Sequence, residues 1–218
     1  LLPLLPLHAG QIATLTALPG NLPAFLALAL PVVGFHQLLP LLPDLDPSLL
    51  GTVQVLGLAG ALYGSLRSLT LVRTLPLLAY GSLAFTSLLW WVIGTTGSVG
   101  PQSAVYLSAC GLAMTGLLLA WYAVRVRYGD IDPRALGGMA YPMPRFSTLF
   151  VLLTLAALGM PPFGVFTGFM GLLFDPTFSV GASFFLIILA WLSASWYLLA
   201  PLQQLVFGPQ RSGIPYAD

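Results

Sequence analysis

The feature that most constrains this chain is a series of six apolar runs, each close to the length of a membrane-spanning helix. The hydrocarbon core of a bilayer is about 30 Å thick, so a spanning helix needs about 20 apolar residues. Only 6% of the residues are charged, whereas soluble domains carry about 25%. The sequence therefore predicts an all-α integral membrane protein with about six transmembrane helices, at residues 22–42, 49–66, 75–93, 104–124, 146–174 and 180–206.

Turn-forming residues occupy the connections between these runs, at 43–47, 94–98, 130–144 and 175–176. We therefore expect a single membrane domain over residues 1–218, with a leading segment at 1–20 and a C-terminal loop at 209–218. The start at Leu1, without Met or a signal sequence, is consistent with a fragment or a processed product. The abrupt end at Asp218 suggests that more chain follows in the native protein.

Two of the runs contain residues that interrupt helices. Proline removes a backbone donor and clashes with the preceding turn, which costs about 3 kcal/mol in a helix interior. Inside a bilayer the freed carbonyl groups must find partners on neighbouring helices or water. We therefore predict Pro/Gly-broken helices, at Pro31 and Gly34 in the first run and at Gly159, Pro161, Pro162 and Gly164 in the fifth.

The ionisable residues are unusual in kind as well as few, because all seven basic residues are Arg and all six acidic residues are Asp. If the six runs alternate in direction, every Arg falls on one side of the membrane, and Asp44, Asp46 and Asp175 fall on the other. Loops rich in Arg remain in the cytoplasm or in the equivalent compartment of an organelle. We expect a protein of a bacterial inner membrane or a thylakoid-type membrane, with its Arg-rich loops on the cytoplasmic side.

Signatures of soluble enzymes are absent from the sequence. No GxGxxG, Walker, HExxH or GxSxG motif occurs. The net charge of +1 gives no basic surface for nucleic acid, and the single Cys110 excludes a disulfide framework within the chain. We therefore expect no catalytic residue, no cofactor and no metal site, and ion transfer is the alternative activity for such a membrane protein.

Ion transfer requires polar or titratable groups within the bilayer, which are costly and for that reason usually functional. His36 is the strongest candidate, because an imidazole titrates near physiological pH and Pro31 and Gly34 lie close by. Weaker candidates on the fourth run are Tyr106, Ser108 and Cys110. The alternative is structural: His36 bonds to freed carbonyls or lies near a membrane surface, and the small polar residues serve close helix packing.

Several short motifs follow one another in an order found in one family. They are Pro6-Leu7-His8, LPLLP at 39–43, Tyr63-Gly64, LAYGS at 78–82, the loop at 130–139, Met143-Pro144, and GMPPFG at 159–164 followed by FTGF at 166–169. In this order and spacing the chain resembles the antiporter-like membrane subunits of respiratory complex I and their relatives in Mrp-type cation antiporters. The resemblance implies an antiporter-like helix bundle with other membrane subunits as partners. It also implies that the chain covers only the middle and later part of a family member.

The resemblance further implies a proton path through buried Lys, Glu and His, and here the chain departs from the family. The family's ionisable positions fall at Leu28, at 73–76, at Phe85, at Cys110-Gly111 and at Phe169, and neither Lys nor Glu occurs anywhere. We therefore predict a membrane-arm subunit of a complex I-like NAD(P)H or ferredoxin-dependent quinone oxidoreductase that keeps the scaffold without proton translocation. The alternatives are an active proton or cation transporter that uses His36, and an antiporter-like partner of an inorganic-carbon uptake system.

Overall fold

The computed structural model of this chain describes residues 2–129, 136–174 and 181–209. Within these ranges the secondary structure is helical and no strand occurs. The helices are α1 (Ala9–Ala17), α2 (Leu22–Leu38), α3 (Pro47–Thr70), α4 (Thr74–Thr96), α5 (Pro101–Tyr128), α6 (Pro144–Ala157), α7 (Gly164–Leu173) and α8 (Ala182–Val206). A 3-10 helix at Leu39–Asp44 continues α2. The predicted all-α membrane fold is confirmed.

Five stretches of the described residues are long and apolar enough to cross a membrane: α2 with its 3-10 extension, α3, α4, α5 and α8. The run at 146–174 forms two shorter apolar helices, α6 and α7, instead of one long helix. The chain leaves helical geometry after Ala157, where Gly159 adopts a left-handed conformation with φ of 71°. Pro161 and Pro162 follow and lack backbone donors. The six predicted crossings therefore correspond to five continuous spans and one helix pair.

Helix α2 differs from the expectation at Pro31 and Gly34. The sequence predicts a break there, but α2 is one continuous α-helix over Leu22–Leu38. A single proline removes only one donor, and its fixed φ of about −65° fits a helix, so the flanking hydrogen bonds can persist. The change to 3-10 geometry comes at Leu39–Asp44. Pro31 therefore deprives the Ala27 carbonyl, four residues earlier, of its helical donor without breaking the helix.

Helix α4 lies at the centre of the bundle, and 83% of the residues in its apolar stretch are buried. Helix α3 packs along it through Gly57, Gly60 and Gly64. A Cβ on Gly64 would lie 2.8 Å from the carbonyl oxygen of Tyr80 and 2.9 Å from the amide nitrogen of Ala84. The two backbones are therefore in direct contact, which small residues permit in membrane helix pairs.

We expect Gly64→Ala to destabilise the protein by about 1–3 kcal/mol, because the added Cβ meets backbone atoms that cannot rotate away. The matched control is Gly51→Ala on the same helix, where a Cβ would meet nothing within 4 Å. The measurement is thermal unfolding in detergent, followed with a thiol-reactive dye on the single, buried Cys110. Equal unfolding midpoints for the two variants would contradict the close packing of α3 on α4.

The described charged residues separate to the two ends of the bundle. Arg67 and Arg73 lie where α3 turns into α4. The end of α8 borders the same groove as this turn, and the Met139 N–H ahead of α6 donates to the Leu205 carbonyl at 3.1 Å. The end of α5 and the start of α6 therefore lie at this end too, with Arg125, Arg127 and Arg145. The opposite end carries Asp44 and Asp46, and the residues outside the described ranges include Arg134, Arg211 and Asp175.

The carboxylate of Asp46 caps the N-terminus of α3. Its Oδ1 accepts a hydrogen bond from the Ser48 N–H at 2.8 Å, and this bond, with a further one from the Ser48 side chain, lowers the pKa of Asp46. Because the folded pKa is depressed, the stabilisation is present above the unfolded pKa and is lost as the pH falls through the folded pKa.

We expect Asp46→Asn to lose less thermal stability on acidification than the wild-type protein, because the variant no longer has this titrating cap. The measurement is the melting temperature across a series of buffers from neutral to acid pH. Asp44→Asn removes a carboxylate from the same loop and is the control. If both variants flatten the acid response equally, the effect belongs to the charge of the loop and not to the cap.

Candidate functional site

The interior of the bundle holds no buried Arg or Asp among the described residues. Apart from aromatic and thiol groups, the buried polar side chains are Ser and Thr. Neither histidine is buried: His8 is half-buried and His36 is exposed. Buried charged groups are the usual carriers of ion transfer in membranes. The described interior offers only neutral groups for any such function.

The residues predicted to form a proton path do not lie together. His36 is exposed on the outer face of α2, beside the buried Phe35. On α5, Ser108 is exposed, while Tyr106 and Cys110 are buried one helical turn apart. With 3.6 residues per turn, burial of positions four apart turns the position midway between them outward. The structure therefore brings together only Tyr106 and Cys110.

Tyr106 and Cys110 border a small internal cavity between α2, α4 and α5. The Tyr106 hydroxyl donates to the Phe85 carbonyl oxygen at 3.1 Å, and Cys110 lines the same cavity one helical turn later. Ser82 and Thr86 of α4 also line the cavity. Its volume is about 10 Å³, close to the minimum for one water molecule. We call it the α2–α4–α5 cavity.

Four aromatic side chains meet beside this cavity, and we call Phe85, Tyr106, Phe169 and Trp191 the Trp191 cluster. The Phe169 ring stacks on Trp191 with the ring centroids 3.7 Å apart and the planes 5° apart. Phe85 approaches Trp191 edge-on at 5.5 Å, and Tyr106 lies 6.3 Å from it. Aromatic pairs at such distances are stabilised by dispersion and by their quadrupoles. The cluster joins α4, α5, α7 and α8 through groups that cannot carry a proton, the Tyr106 hydroxyl excepted.

The break between α6 and α7 positions this cluster. Gly159 lies directly against the ring of Trp191, so a Cβ there would overlap the ring. After the break, α7 places Gly168 on the backbone of Tyr106, where a Cβ would lie 2.5 Å from the Tyr106 Cα. Phe169 is the next residue and is buried. The glycines and prolines of this segment therefore fix where α7 lies along α5 and allow the backbones of these two helices to approach closely.

Most positions that the family resemblance aligns with ionisable groups are close together in space, whereas the position at 73–76 lies at the start of α4. Leu28 of α2 packs over Gly111 of α5, whose hypothetical Cβ would lie 2.6 Å from Leu28 Cδ1. Cys110 is the residue before Gly111, and Phe85 and Phe169 belong to the Trp191 cluster. At these positions the structure thus has apolar side chains, a thiol and a glycine, which lie around the α2–α4–α5 cavity and the Trp191 cluster.

A second polar group of side chains surrounds His8, at the start of α1. The His8 ring lies 5.4 Å from the Tyr63 ring and 6.5 Å from the Tyr80 ring. One turn later, Gln11 Nε2 donates to Ser82 Oγ at 3.3 Å. In the sequence only the Pro6-Leu7-His8 motif pointed to this residue, and its partners lie on α3 and α4, which no local pattern connects to α1.

Comparison with known proteins gives one consistent family. The transmembrane family described as NADH:quinone oxidoreductase/Mrp antiporter matches residues 2–196. NADH-quinone oxidoreductase subunit M of Escherichia coli (strain K12) is 30% identical over 182 residues, which are 81% of this chain and 35% of that protein. NAD(P)H-quinone oxidoreductase chain 4 1 of Synechococcus sp. (strain JA-2-3B'a(2-13)) is 29% identical over 173 residues, 75% of this chain and 33% of that protein. This chain therefore spans about a third of the length of these relatives.

The fold has a counterpart among solved structures. A chain of respiratory complex I from Thermus thermophilus with bound NADH superposes with a TM-score of 0.81 and 24% sequence identity. The superposition covers all of this chain and 48% of that chain. At this level of identity the match establishes the arrangement of helices.

Proposed function

The chain belongs to the NADH:quinone oxidoreductase/Mrp antiporter transmembrane family, and from this membership we propose that it is a membrane-arm subunit of a complex I-like quinone oxidoreductase. In this role it packs against other membrane subunits and fills the bilayer between them. Oxidation of NAD(P)H or ferredoxin and reduction of quinone take place in other subunits. The chain is therefore not catalytic by itself, and its contribution is structural.

Two relatives support the proposal that this chain is part of such a complex. Both are named as subunits of NADH-quinone or NAD(P)H-quinone oxidoreductases. Because this chain spans about a third of their length, we expect the surfaces that their remaining helices would cover to meet other polypeptide or lipid. By the positive-inside rule, we expect the end with Arg67, Arg73 and Arg127 to face the cytoplasm or the equivalent compartment of a thylakoid.

The neutral interior is the observation that carries the second part of the proposal, that the chain does not translocate protons. A proton path needs titratable side chains or a continuous chain of water and hydroxyl groups. Among the described residues no charged side chain is buried. Phe85 and Phe169 of the Trp191 cluster occupy positions where the family resemblance implies ionisable groups. A scaffold that conserves shape without conduction accounts for both observations.

We expect His36→Leu to leave proton translocation unchanged, because His36 is exposed on α2 and separated from the polar groups of the interior. The measurement is the number of protons moved per quinone reduced by the purified assembly in liposomes, followed with a pH-sensitive dye. Gln37→Leu, the neighbouring exposed residue, is the matched control. Loss of translocation in His36→Leu alone, with assembly intact, would overturn the scaffold proposal in favour of a transporter that uses His36.

A further inference from the structure

The α2–α4–α5 cavity contains a backbone group that lacks its usual partner. Pro31 has no N–H, so the Ala27 carbonyl loses the donor that a helix normally supplies from four residues later. Ala27 and Pro31 both line the cavity, and in a helix the Ala27 carbonyl points along the axis towards Pro31. Within a bilayer an unsatisfied carbonyl is costly and has to find a donor elsewhere.

We propose that the α2–α4–α5 cavity is a binding site for one water molecule, which bridges the Ala27 carbonyl of α2 to Ser82 and Thr86 of α4. The cavity volume of about 10 Å³ is close to that of a single water-sized probe. The site would take a neutral water and not an ion, because no charged residue lines it. This inference stands whether or not the chain is a non-conducting subunit.

The hydroxyl groups of α4 have the free capacity that this water requires. Ser82 Oγ accepts a hydrogen bond from Gln11 Nε2 at 3.3 Å, which leaves the Ser82 O–H available as a donor. Thr86 Oγ1 donates to the Ser82 carbonyl at 3.0 Å, which leaves its lone pairs available as acceptors. A water can therefore donate to Ala27 and Thr86 and accept from Ser82. Three hydrogen bonds are the usual number for a buried water.

The rest of the cavity wall is mostly apolar. Leu107, Met114 and the ring of Phe85 are apolar and offer no competing hydrogen bond. The Tyr106 hydroxyl already donates its hydrogen bond to the Phe85 carbonyl at 3.1 Å. Because the Ala27 carbonyl belongs to α2 and the Ser82 and Thr86 hydroxyls belong to α4, the water connects these helices at the point where Pro31 interrupts the hydrogen bonding of α2.

The test compares Pro31→Ala with Pro201→Ala in the complete assembly. Pro31→Ala supplies an N–H at residue 31 and returns the Ala27 carbonyl to helical bonding, and Ala is a better helix former than Pro, so the variant is expected to fold. Pro201 is also inside a helix, α8, but lies outside the cavity, and its replacement is the matched control.

High-resolution electron cryomicroscopy of the assembly should show density within hydrogen-bonding distance of the Ala27 carbonyl and the Ser82 hydroxyl. We expect this density in the wild-type protein and in Pro201→Ala, and its loss in Pro31→Ala. Absence of the density in a wild-type map that shows other internal waters would overturn the proposal. Persistence of the density in Pro31→Ala would overturn the role of the released carbonyl.

An infrared measurement provides a second readout that does not depend on the map. Cys110 is the single thiol of the chain and lines the cavity, so its S–H band is identified by difference from Cys110→Ser. With the site water removed, this thiol should exchange more slowly in Pro31→Ala than in Pro201→Ala after transfer of the assembly to D₂O, because the nearest source of deuterium has been lost. Equal exchange rates in the two variants would contradict a water beside Cys110.

Discussion

Trp191→Ala is expected to destabilise the protein by about 3 kcal/mol, at the lower end of the range for aromatic-to-Ala changes in protein cores. Trp191 stacks on Phe169 at 3.7 Å and meets Phe85 edge-on at 5.5 Å, so its removal leaves a void shared by α4, α7 and α8. Lipid is as apolar as the protein interior, and lost packing contacts therefore account for most of the effect. The measurement is the unfolding midpoint in detergent with the thiol-reactive dye on Cys110.

Trp196→Ala is the matched control for this substitution. Trp196 is on the same helix, α8, but its side chain is 75% exposed. Its removal changes the same residue type without opening the Trp191 cluster, so we expect a change of less than about 1 kcal/mol. Equal losses for the two tryptophans would mean that the cluster does not join α7 and α8 to the bundle.

Gly159→Ala is expected to cost about 2–5 kcal/mol and to lower the yield of folded protein. The left-handed backbone at Gly159, with φ of 71°, costs a residue with a side chain about 1–2 kcal/mol. A Cβ at this position would also overlap the ring of Trp191, and overpacking of this kind adds about 1–3 kcal/mol. The measurement is folded yield after detergent extraction, together with the unfolding midpoint.

Gly181→Ala is the matched control for Gly159→Ala. Gly181 precedes α8 with φ of −128°, and a Cβ there would meet nothing within 4 Å. We expect the wild-type yield and midpoint from this variant. Wild-type behaviour of Gly159→Ala as well would contradict the view that the break between α6 and α7 requires glycine beneath Trp191.

The sequence was sufficient to predict the helical type of the spans and the positions of five of them, because a bilayer imposes a minimum length on each apolar run. It was also sufficient to locate the interruption in the run at 146–174, where two adjacent prolines follow Gly159. The same reasoning fails at Pro31, where α2 continues through the proline. One missing donor leaves most of a helix intact, whereas two prolines and a left-handed glycine do not.

The arrangement of the interior was not predictable from the sequence. Phe85, Tyr106, Phe169 and Trp191 lie on four helices, and no local pattern in the sequence shows that their side chains meet. Nor does an apolar run show which of its faces is buried, because lipid and protein interior favour the same residues. For this reason the sequence pointed to His36 as an interior candidate, although its side chain is exposed in the structure.

The most direct test of the central claim is to identify the proteins with which this chain assembles. The chain is extracted with a mild detergent, separated by native electrophoresis, and the co-migrating proteins are identified by mass spectrometry. We expect co-migration with the subunits of a quinone oxidoreductase. Migration alone, as a homo-oligomer, or with the components of an inorganic-carbon uptake system that lacks quinone reductase subunits would contradict the proposed membrane-arm role.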